Sequence, residues 1–186
     1  MARAGLSLEQ IIQTAVELAD QDGADAVTLA NIARKLSVRP PSLFNHIKGL
    51  TQVKRELTLY GLRKLYETLQ NTSYEKSGDD AILAMAEAYL QFTFDHPGLY
   101  EFTISVPQEQ DTEIELVANK IVQLIIAAMS EYQLSEDDSI HAVRGLRSIL
   151  HGVSSIQQKG GFGLPQKLEE SLQVVVKAYL IGLKQL

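Results

Sequence analysis

Cysteine is absent from the 186 residues of this chain. Its absence excludes disulfide bonds, thiolate zinc and iron–sulfur sites, and a cysteine nucleophile. The chain also lacks any run near the roughly 18 consecutive apolar residues that a membrane-spanning helix requires. Residues 1–10 have no apolar core of the kind that a secretory signal needs. We therefore expect a globular cytoplasmic protein with no membrane partner.

Motifs of catalysis and cofactor binding are missing as well. The chain contains no nucleophile elbow, no Walker loop and no GxGxxG fingerprint, and the GGFG run at 160–163 precedes a proline and follows no strand. The histidines are scattered, with none at i, i+4 from another: His46, His96, His141 and His151. Asp137 has that spacing from His141, but two ligands do not make a metal site. We expect no enzymatic activity, no cofactor and no metal.

The net charge of −6 conceals a basic segment on an acidic body. Residues 1–65 carry 9 Lys and Arg against 6 Asp and Glu, a net of +3, and residues 66–186 carry 8 against 17, a net of −9. Between Arg34 and Lys64 there are 8 basic residues and one acid, Glu56. This division predicts two functions on one chain, with nucleic acid as the partner of the basic segment. A chance fluctuation of charge is the alternative.

Apolar residues recur with helical period along almost every segment. Good N-caps such as Ser7 and Thr28 precede several segments, and glycine or proline ends others. The sequence predicts an all-α fold of nine helices with no convincing strand. The predicted helices span residues 8–22, 28–36, 41–47, 50–70, 79–95, 99–105, 109–132, 135–159 and 166–184.

The stretch from residue 28 to residue 48 has the form of two short helices joined by a three-residue turn. Its apolar positions suffice for a small core against the first helix: Ile32, Leu36, Val38, Leu43 and Ile47. The other residues of its second helix face outward with hydroxyl, amide, imidazole, aromatic and basic groups, which suit a helix in the major groove of DNA. The predicted DNA-binding residues are Thr28, Arg39, Pro40, Ser42, Phe44, Asn45, His46 and Lys48.

At these residues the sequence resembles a known family. The run TLANIARKLSVRPPSLFNHIK at 28–48 resembles, in order and spacing, the DNA-binding domain of TetR-like transcriptional regulators. HPGLYEF at 96–102, RGLRSILHG at 144–152 and GGFGLP at 160–165 resemble the regulatory domain of the branch named for a Trp-His-Gly element, although the tryptophan is absent. The resemblance covers essentially the whole chain.

The resemblance implies a three-helix helix-turn-helix domain at 1–48 and a helical effector-binding and dimerisation domain at 49–186. Two departures from the family pattern predict weaker phosphate anchoring. Phe44 stands where the family usually has a tyrosine whose hydroxyl contacts a phosphate, and Leu50 stands where it usually has a lysine. Arg3 is a candidate arm to a phosphate or to the minor groove.

Roles for the DNA-binding residues follow from their chemistry. Thr28 is expected to bind a phosphate through its backbone N–H and its hydroxyl, because it lies at a helix N-terminus. His46 and Lys48 are further phosphate candidates. Arg39 is expected to reach guanine, and Asn45 is expected to read adenine.

The last two helices carry a predicted dimer interface. Small residues share one face of the first of them, and the second has a broad apolar stripe, which together predict an isologous four-helix bundle in a homodimer. The predicted interface residues are Gly145, Ser148, Ile149, Gly152, Ser155, Leu172, Val175, Val176, Tyr179 and Leu183. Packing of both faces inside one monomer is the alternative.

Aromatic residues and methionines of the middle helices are candidates for an effector pocket. Their spacing is equally that of an ordinary core, and the family resemblance is what implies a pocket. Their mixture favours an apolar or aromatic small molecule. The predicted pocket residues are Tyr66, Met85, Tyr89, Phe92, His96, Tyr100, Met129 and His141.

These expectations combine into one functional prediction. The protein is expected to be a homodimeric repressor that binds a palindromic double-stranded DNA operator and is released by a small-molecule effector. Two alternatives stay open: an activator of the same fold, and a helical small-molecule-binding protein whose DNA module is weakened by Phe44 and Leu50.

Overall fold

The computed structural model describes residues 6–104 and 111–186. Across these ranges the chain is helical and has no strand, which confirms the all-α prediction. The α-helices are α1 (Leu8–Asp22), α2 (Leu29–Lys35), α3 (Leu50–Ser73), α4 (Gly78–Asp95), α5 (Pro97–Ile104), α6 (Thr112–Ala128), α7 (Glu136–Gln158) and α8 (Leu168–Leu183). With the 3₁₀ helix at Pro40–Asn45, the described ranges hold nine helices, besides two three-residue 3₁₀ turns at Ala24–Ala26 and Ser130–Tyr132.

The short helix after the turn differs from its prediction. An α-helix was expected at 41–47, whereas the structure has a six-residue 3₁₀ helix that starts at Pro40. Consecutive prolines remove two N–H donors, and the first bond of the segment joins the N–H of Ser42 to the carbonyl of Arg39 at 2.9 Å. At about three residues per turn, the six residues of the segment form a narrower and more tightly wound helix than an α-helix.

Other helix ends also differ. The helix predicted over 109–132 ends at Ala128, and its first two residues lie outside the described ranges, as does Arg3. α5 begins at Pro97 rather than residue 99, since proline is well tolerated in the first turn of a helix. α8 begins at Leu168 rather than residue 166, because Lys167 keeps an extended backbone.

The chain forms two compact units. The first unit is Met1–Arg63 with Asp95–Glu115, and the second is Lys64–Phe94 with Leu116–Leu186. These units reflect packing and not function. The division of function after residue 48 therefore stays a prediction.

Aliphatic side chains from α1, α2, α3 and the 3₁₀ helix form the core of the first unit. α1 starts with a capping box, in which the Ser7 hydroxyl accepts the N–H of Gln10 and the Gln10 side chain accepts the N–H of Ser7. Burial of each aliphatic side chain contributes about 1.5–3 kcal/mol, so this core holds the short elements in place. The fully buried residues include Ile11, Ile32, Leu43, Val53 and Leu57.

In the second unit α7 and α8 pack closely on each other. Tyr179 donates a hydrogen bond from its hydroxyl to the carbonyl oxygen of Ala142 at 2.8 Å, and burial raises the pKa of this hydroxyl. Gly145 makes room for the ring, since a Cβ there would lie 2.3 Å from the Tyr179 oxygen. The small residue at 145 therefore serves a contact within the chain.

This packing changes the predicted dimer interface. Leu172, Val176 and Leu183 are buried within their own unit instead of facing outward. The apolar stripe of α8 is broad enough that its central strip is used inside the monomer. Only the edges of the stripe remain available to a second protomer.

Candidate nucleic-acid interface

A left-handed residue makes the turn between α2 and the 3₁₀ helix. Ser37 has φ of 55°. Its N–H bonds to the carbonyl of Arg34 at 3.1 Å, and the N–H of Val38 bonds to the carbonyl of Ala33 at 2.9 Å. This pair of bonds is a Schellman motif, which ends a helix and reverses the chain. The turn predicted at 37–39 thus has a defined geometry, with serine where glycine is usual.

Two buried side chains attach the following segment to the core. Leu43 is completely buried and Ile47 nearly so, as the sequence predicted. The carbonyl of Leu43 accepts the N–H groups of both His46 and Ile47, at 2.9 and 3.0 Å. Leu36 and Val38, predicted for the same core, are only half-buried, because the tight turn holds them near the surface.

The opposite side of the 3₁₀ helix is open. Five predicted DNA-binding residues are exposed, and three are half-buried. We call this predicted set of eight residues the recognition surface, and none of them is buried. Its exposed members are Arg39, Pro40, Phe44, Asn45 and Lys48, and its half-buried members are Thr28, Ser42 and His46.

The stretch of sequence that carries the recognition surface contains no acidic residue. No acid occurs between residues 26 and 55. Among the described residues, the side chains of Arg39, Lys48 and Lys54 form no ion pair. Their charges are therefore available to phosphates. Lys35 is less available, because its ammonium lies 3.2 Å from the Glu17 carboxylate.

Thr28 caps α2 instead of offering its backbone. Its Oγ1 accepts the N–H of Asn31 at 3.1 Å, and its own N–H is donated to the carbonyl of Ala26 at 2.9 Å. The phosphate contact expected through this N–H is thus taken up by the chain itself. The hydroxyl hydrogen is the donor that Thr28 retains for a phosphate.

The start of α3 fixes the backbone beside Lys48. The N–H of Lys48 is donated to the side-chain oxygen of Gln52 at 2.7 Å. Gly49 follows with φ of 154°, and its carbonyl accepts the N–H of Val53 at 3.3 Å. Lys48 therefore projects from a backbone that is held at its own amide.

The positive charge of Arg55, a residue of the basic segment, is balanced by neighbouring carboxylates. Its guanidinium contacts Asp111 and Glu113 at the start of α6, at 3.1 and 2.9 Å from Nη2. Glu56 lies 3.1 Å from Nη1. These acids raise the pKa of Arg55 above its ordinary value, and the guanidinium lowers the pKa of both Asp111 and Glu113. A separation of 56 residues hides this cluster from sequence reasoning.

α1 and α5 meet at a second contact that sequence reasoning missed. Asp20 accepts the N–H of Leu99 at 2.8 Å, and its other oxygen lies 2.8 Å from Nδ1 of His96. Gly98 permits this approach, because a Cβ there would lie 1.8 Å from the carbonyl oxygen of Ala19. His96, predicted for the pocket, thus pairs with a carboxylate of the helix that supports the recognition surface.

The other predicted pocket residues divide by burial. Five are buried, Tyr66 is half-buried, and His141 is exposed instead of facing inward. Tyr100 belongs to the first unit, as does His96, and the remaining residues belong to the second. Their burial agrees with a pocket wall and with an ordinary core alike. The five buried residues are Met85, Tyr89, Phe92, Tyr100 and Met129.

The remaining residues of the predicted dimer interface stay near the surface. Ser148 and Val175 are exposed, and Ile149, Gly152 and Ser155 are half-buried.

Three exposed aliphatic residues lie on the same two helices and were not predicted for the interface. Val174 and Ile181 on α8 are 70% and 62% exposed, and Ile156 on α7 is 46% exposed. Val174 and Ile181 are spaced i, i+7, which a wider apolar stripe on α8 would have included.

Neither a metal site nor a membrane span is found in the part of the chain that the structure describes. Among these residues, no three His, Asp or Glu side chains cluster in a way that would hold a metal ion. No helix of residues 6–104 and 111–186 is both long and apolar enough to cross a bilayer.

Known proteins resemble this chain along nearly its whole length. The family model for the C-terminal domain of tetracyclin repressor-like proteins matches residues 82–179. YobS, an HTH-type transcriptional regulator of Bacillus subtilis, is 40% identical over 182 residues, which cover 97% of this chain and 94% of the relative. Rv0681, an HTH-type transcriptional regulator of Mycobacterium tuberculosis, is 29% identical over 158 residues, covering 84% and 72%. Both relatives are described as transcriptional regulators of the helix-turn-helix type.

Solved structures share the fold at low sequence identity. The regulator SCO7222, a TetR from Streptomyces coelicolor, superposes with a TM-score of 0.74 at 19% identity, covering 97% of this chain and 99% of that one. A single-residue variant of TetR from Acinetobacter baumannii, in complex with minocycline, gives a TM-score of 0.71 at 13% identity, covering 97% and 98%.

Proposed function

The chain belongs to the TetR family of helix-turn-helix transcriptional regulators, and on that premise we propose that it is a repressor controlled by a small molecule. In this proposal a homodimer binds a palindromic operator in the cytoplasm, and an apolar or aromatic effector releases it. The observation that carries the proposal is that Arg39, Phe44, Asn45 and Lys48 of the recognition surface are each exposed, in a stretch of sequence without acids.

The DNA contacts are assigned by chemistry. The 3₁₀ helix enters the major groove, where Arg39 donates to guanine and Asn45 pairs with adenine. Lys48 and His46 contact phosphates, with the hydroxyl of Thr28 as a further donor. Lys54 supplies the charge that Leu50 lacks. Support comes from the free cations of this surface and from the core residues that hold it in place.

The dimer would use the outer edges of α7 and α8. Val174, Ile181 and Ile156 expose aliphatic surface that a monomer would leave in water, and such patches are typical of interaction sites. Gly152 favours a close approach there, since nothing lies within 4 Å of a Cβ at this position. A two-fold axis would set two recognition surfaces about 34–36 Å apart, one turn of DNA.

The effector would bind among the buried aromatic residues and methionines of the middle helices. A relative of this fold, the Acinetobacter baumannii TetR variant, is described in complex with minocycline, which supports an organic ligand for the family. Release requires that the effector prefer the conformation with lower operator affinity. α3 is the candidate transmitter, because its residues from Leu50 to Ser73 belong to both units.

DNA binding is tested by selection from a library of random duplex DNA with the full-length protein, accompanied by a measurement of the mass in solution. The proposal expects a dimer and an enriched palindrome. In a reporter with the selected site overlapping the promoter, the protein should lower transcription. Raised transcription would favour the activator instead.

Effector release is tested separately. A set of apolar and aromatic compounds is screened by thermal shift, and each stabilising compound is titrated into the complex with the selected DNA. The proposal expects that at least one compound stabilises the protein and lowers its operator affinity. A compound that binds tightly and leaves operator affinity unchanged would contradict the release mechanism.

A further inference from the structure

Phe44 is the aromatic residue of the recognition surface, apart from the imidazole of His46. Its side chain is 56% exposed on the recognition surface, between the buried Leu43 and the exposed Asn45. The same surface offers only polar and basic groups besides Phe44 and Pro40. An exposed aromatic ring among polar and basic groups is available for an apolar contact with a bound partner.

The backbone that carries Phe44 is held firmly. Pro40 and Pro41 restrict the start of the segment, and Leu43 fills the core immediately before the ring. The N–H groups of His46 and Ile47 close the segment onto the carbonyl of Leu43. Phe44 is therefore presented outward from a backbone position that its neighbours define.

The proposed function places this surface in the major groove, and the apolar group that bases display there is the C5 methyl of thymine. We infer that Phe44 contacts a thymine methyl in each half of the operator and thereby determines specificity at that base pair. The inference rests on the proposed DNA-binding function. Arg39 and Asn45 beside the ring would read the polar edges of neighbouring bases.

This contact has a consequence for methylated DNA. A 5-methylcytosine carries its methyl group on the same ring carbon, at the same side of the major groove as thymine. Phe44 should therefore respond to the methyl and not to the rest of the thymine base. Removal of the methyl from thymine should weaken binding, and addition of a methyl to cytosine at the same position should restore part of it.

The probe is the palindrome selected from random duplex DNA, resynthesised with each thymine replaced in turn by deoxyuridine, which lacks only the methyl. Loss of one buried methyl should weaken binding about fourfold. Symmetric replacement in both half-sites should weaken it about 16-fold, the square of that factor. In two further duplexes the same thymine is replaced by cytosine or by 5-methylcytosine. The duplex with 5-methylcytosine should bind more tightly than the duplex with cytosine.

Variants connect the effect to the residue. Phe44→Ala should bind the thymine and deoxyuridine duplexes equally. It should still bind the selected duplex more tightly than a scrambled one, because other residues read the rest of the site. Tyr74→Ala is the matched control, because Tyr74 is an aromatic residue that is 74% exposed and lies outside the recognition surface. It should retain the full deoxyuridine effect.

The outcomes separate the two proposals. If no DNA sequence is selected, the proposed function fails and this inference fails with it. If a palindrome is selected but no deoxyuridine replacement weakens binding, Phe44 reads no methyl and the inference alone is overturned. It is equally overturned if Phe44→Ala keeps the deoxyuridine effect, or if it weakens selected and scrambled duplexes by the same factor.

Discussion

Gly98 on α5 lies so close to Ala19 on α1 that a Cβ at residue 98 would come within 1.8 Å of the Ala19 carbonyl oxygen. The neighbouring Asp20 accepts the N–H of Leu99. A backbone contact thus joins α5 to α1, the helix that supports the recognition surface. The contact leaves little room for α5 to shift along α1.

Gly98→Ala should destabilise the protein by about 2–4 kcal/mol, because the backbone atoms it would strike are held within two helices. Urea unfolding followed by circular dichroism measures the change. Gly163→Ala is the control, since nothing lies within 4 Å of a Cβ there. Equal stability of the two variants would show that α1 and α5 are not in this close contact.

The left-handed turn at Ser37 predicts opposite effects for two substitutions. Ser37→Gly should raise the free energy of unfolding by up to about 1 kcal/mol, because glycine adopts this conformation without steric cost. Ser37→Val should lower it by about 1–2 kcal/mol, since a β-branched residue is strained there. The same urea titration checks both. A valine variant as stable as the wild type would contradict the Schellman turn.

The ion cluster at Arg55 should make stability depend on acid. The guanidinium holds the pKa of Asp111 and Glu113 below their ordinary values. Groups with a depressed pKa stabilise the fold above their unfolded pKa, and this contribution is lost as the pH falls through the folded value. Wild type should therefore exceed Arg55→Met in stability at neutral pH, and the two should converge in acid.

Unfolding measured from about pH 7 downward, at low ionic strength where surface pairs are least screened, tests this. Arg144→Met serves as the control, because Arg144 is exposed and has no ion pair among the described residues. If the difference in stability between wild type and Arg55→Met does not change with pH, the ion pairs of Arg55 do not stabilise the fold in the proposed way.

Lys48 and Asn45 should fail in different ways. Lys48→Ala should weaken all DNA sequences alike and flatten the salt dependence of binding by about one unit of slope. Asn45→Ala should cost about 1–3 kcal/mol at one base pair only. Fluorescence anisotropy with selected and scrambled duplexes at several salt concentrations distinguishes them. Lys120 is an exposed lysine on α6, and the control variant Lys120→Ala should change neither the affinity for DNA nor its salt dependence. Equal losses of affinity for random DNA in Lys48→Ala and Asn45→Ala would refute the assigned roles.

The exposed edge of α8 predicts the effect of a charge at the dimer interface. Ile181→Asp should convert the dimer to a monomer in analytical ultracentrifugation, because a buried unpaired carboxylate is costly. Leu116→Asp, at a residue that is 59% exposed on α6, should remain dimeric. A dimeric Ile181→Asp variant would place the interface elsewhere.

Local patterns were sufficient to predict most of the fold. Helical periodicity and caps such as Ser7 and Thr28 gave the helix order, and Leu43 and Ile47 were correctly assigned to the core. The 3₁₀ geometry after Ser37 was not predicted, since a six-residue segment has too little periodicity to separate two helix types.

Contacts between distant residues could not be predicted. Arg55 and Asp111 are 56 residues apart, and Asp20 and His96 are 76 apart, so no spacing rule connects them. The sequence also did not show which apolar residues of α8 pack inside the chain and which remain exposed. Apolar character alone does not tell whether Val176 faces its own chain or a second one.

The proposed function requires that the recognition surface distinguish one DNA sequence from others. Its most direct test is the ratio of the dissociation constants of the full-length protein for a scrambled duplex and for the selected palindrome, measured at one physiological salt concentration. We expect a ratio of about 10³ or more, within the range of specific DNA-binding proteins. A ratio near one, from a folded dimer, would contradict it.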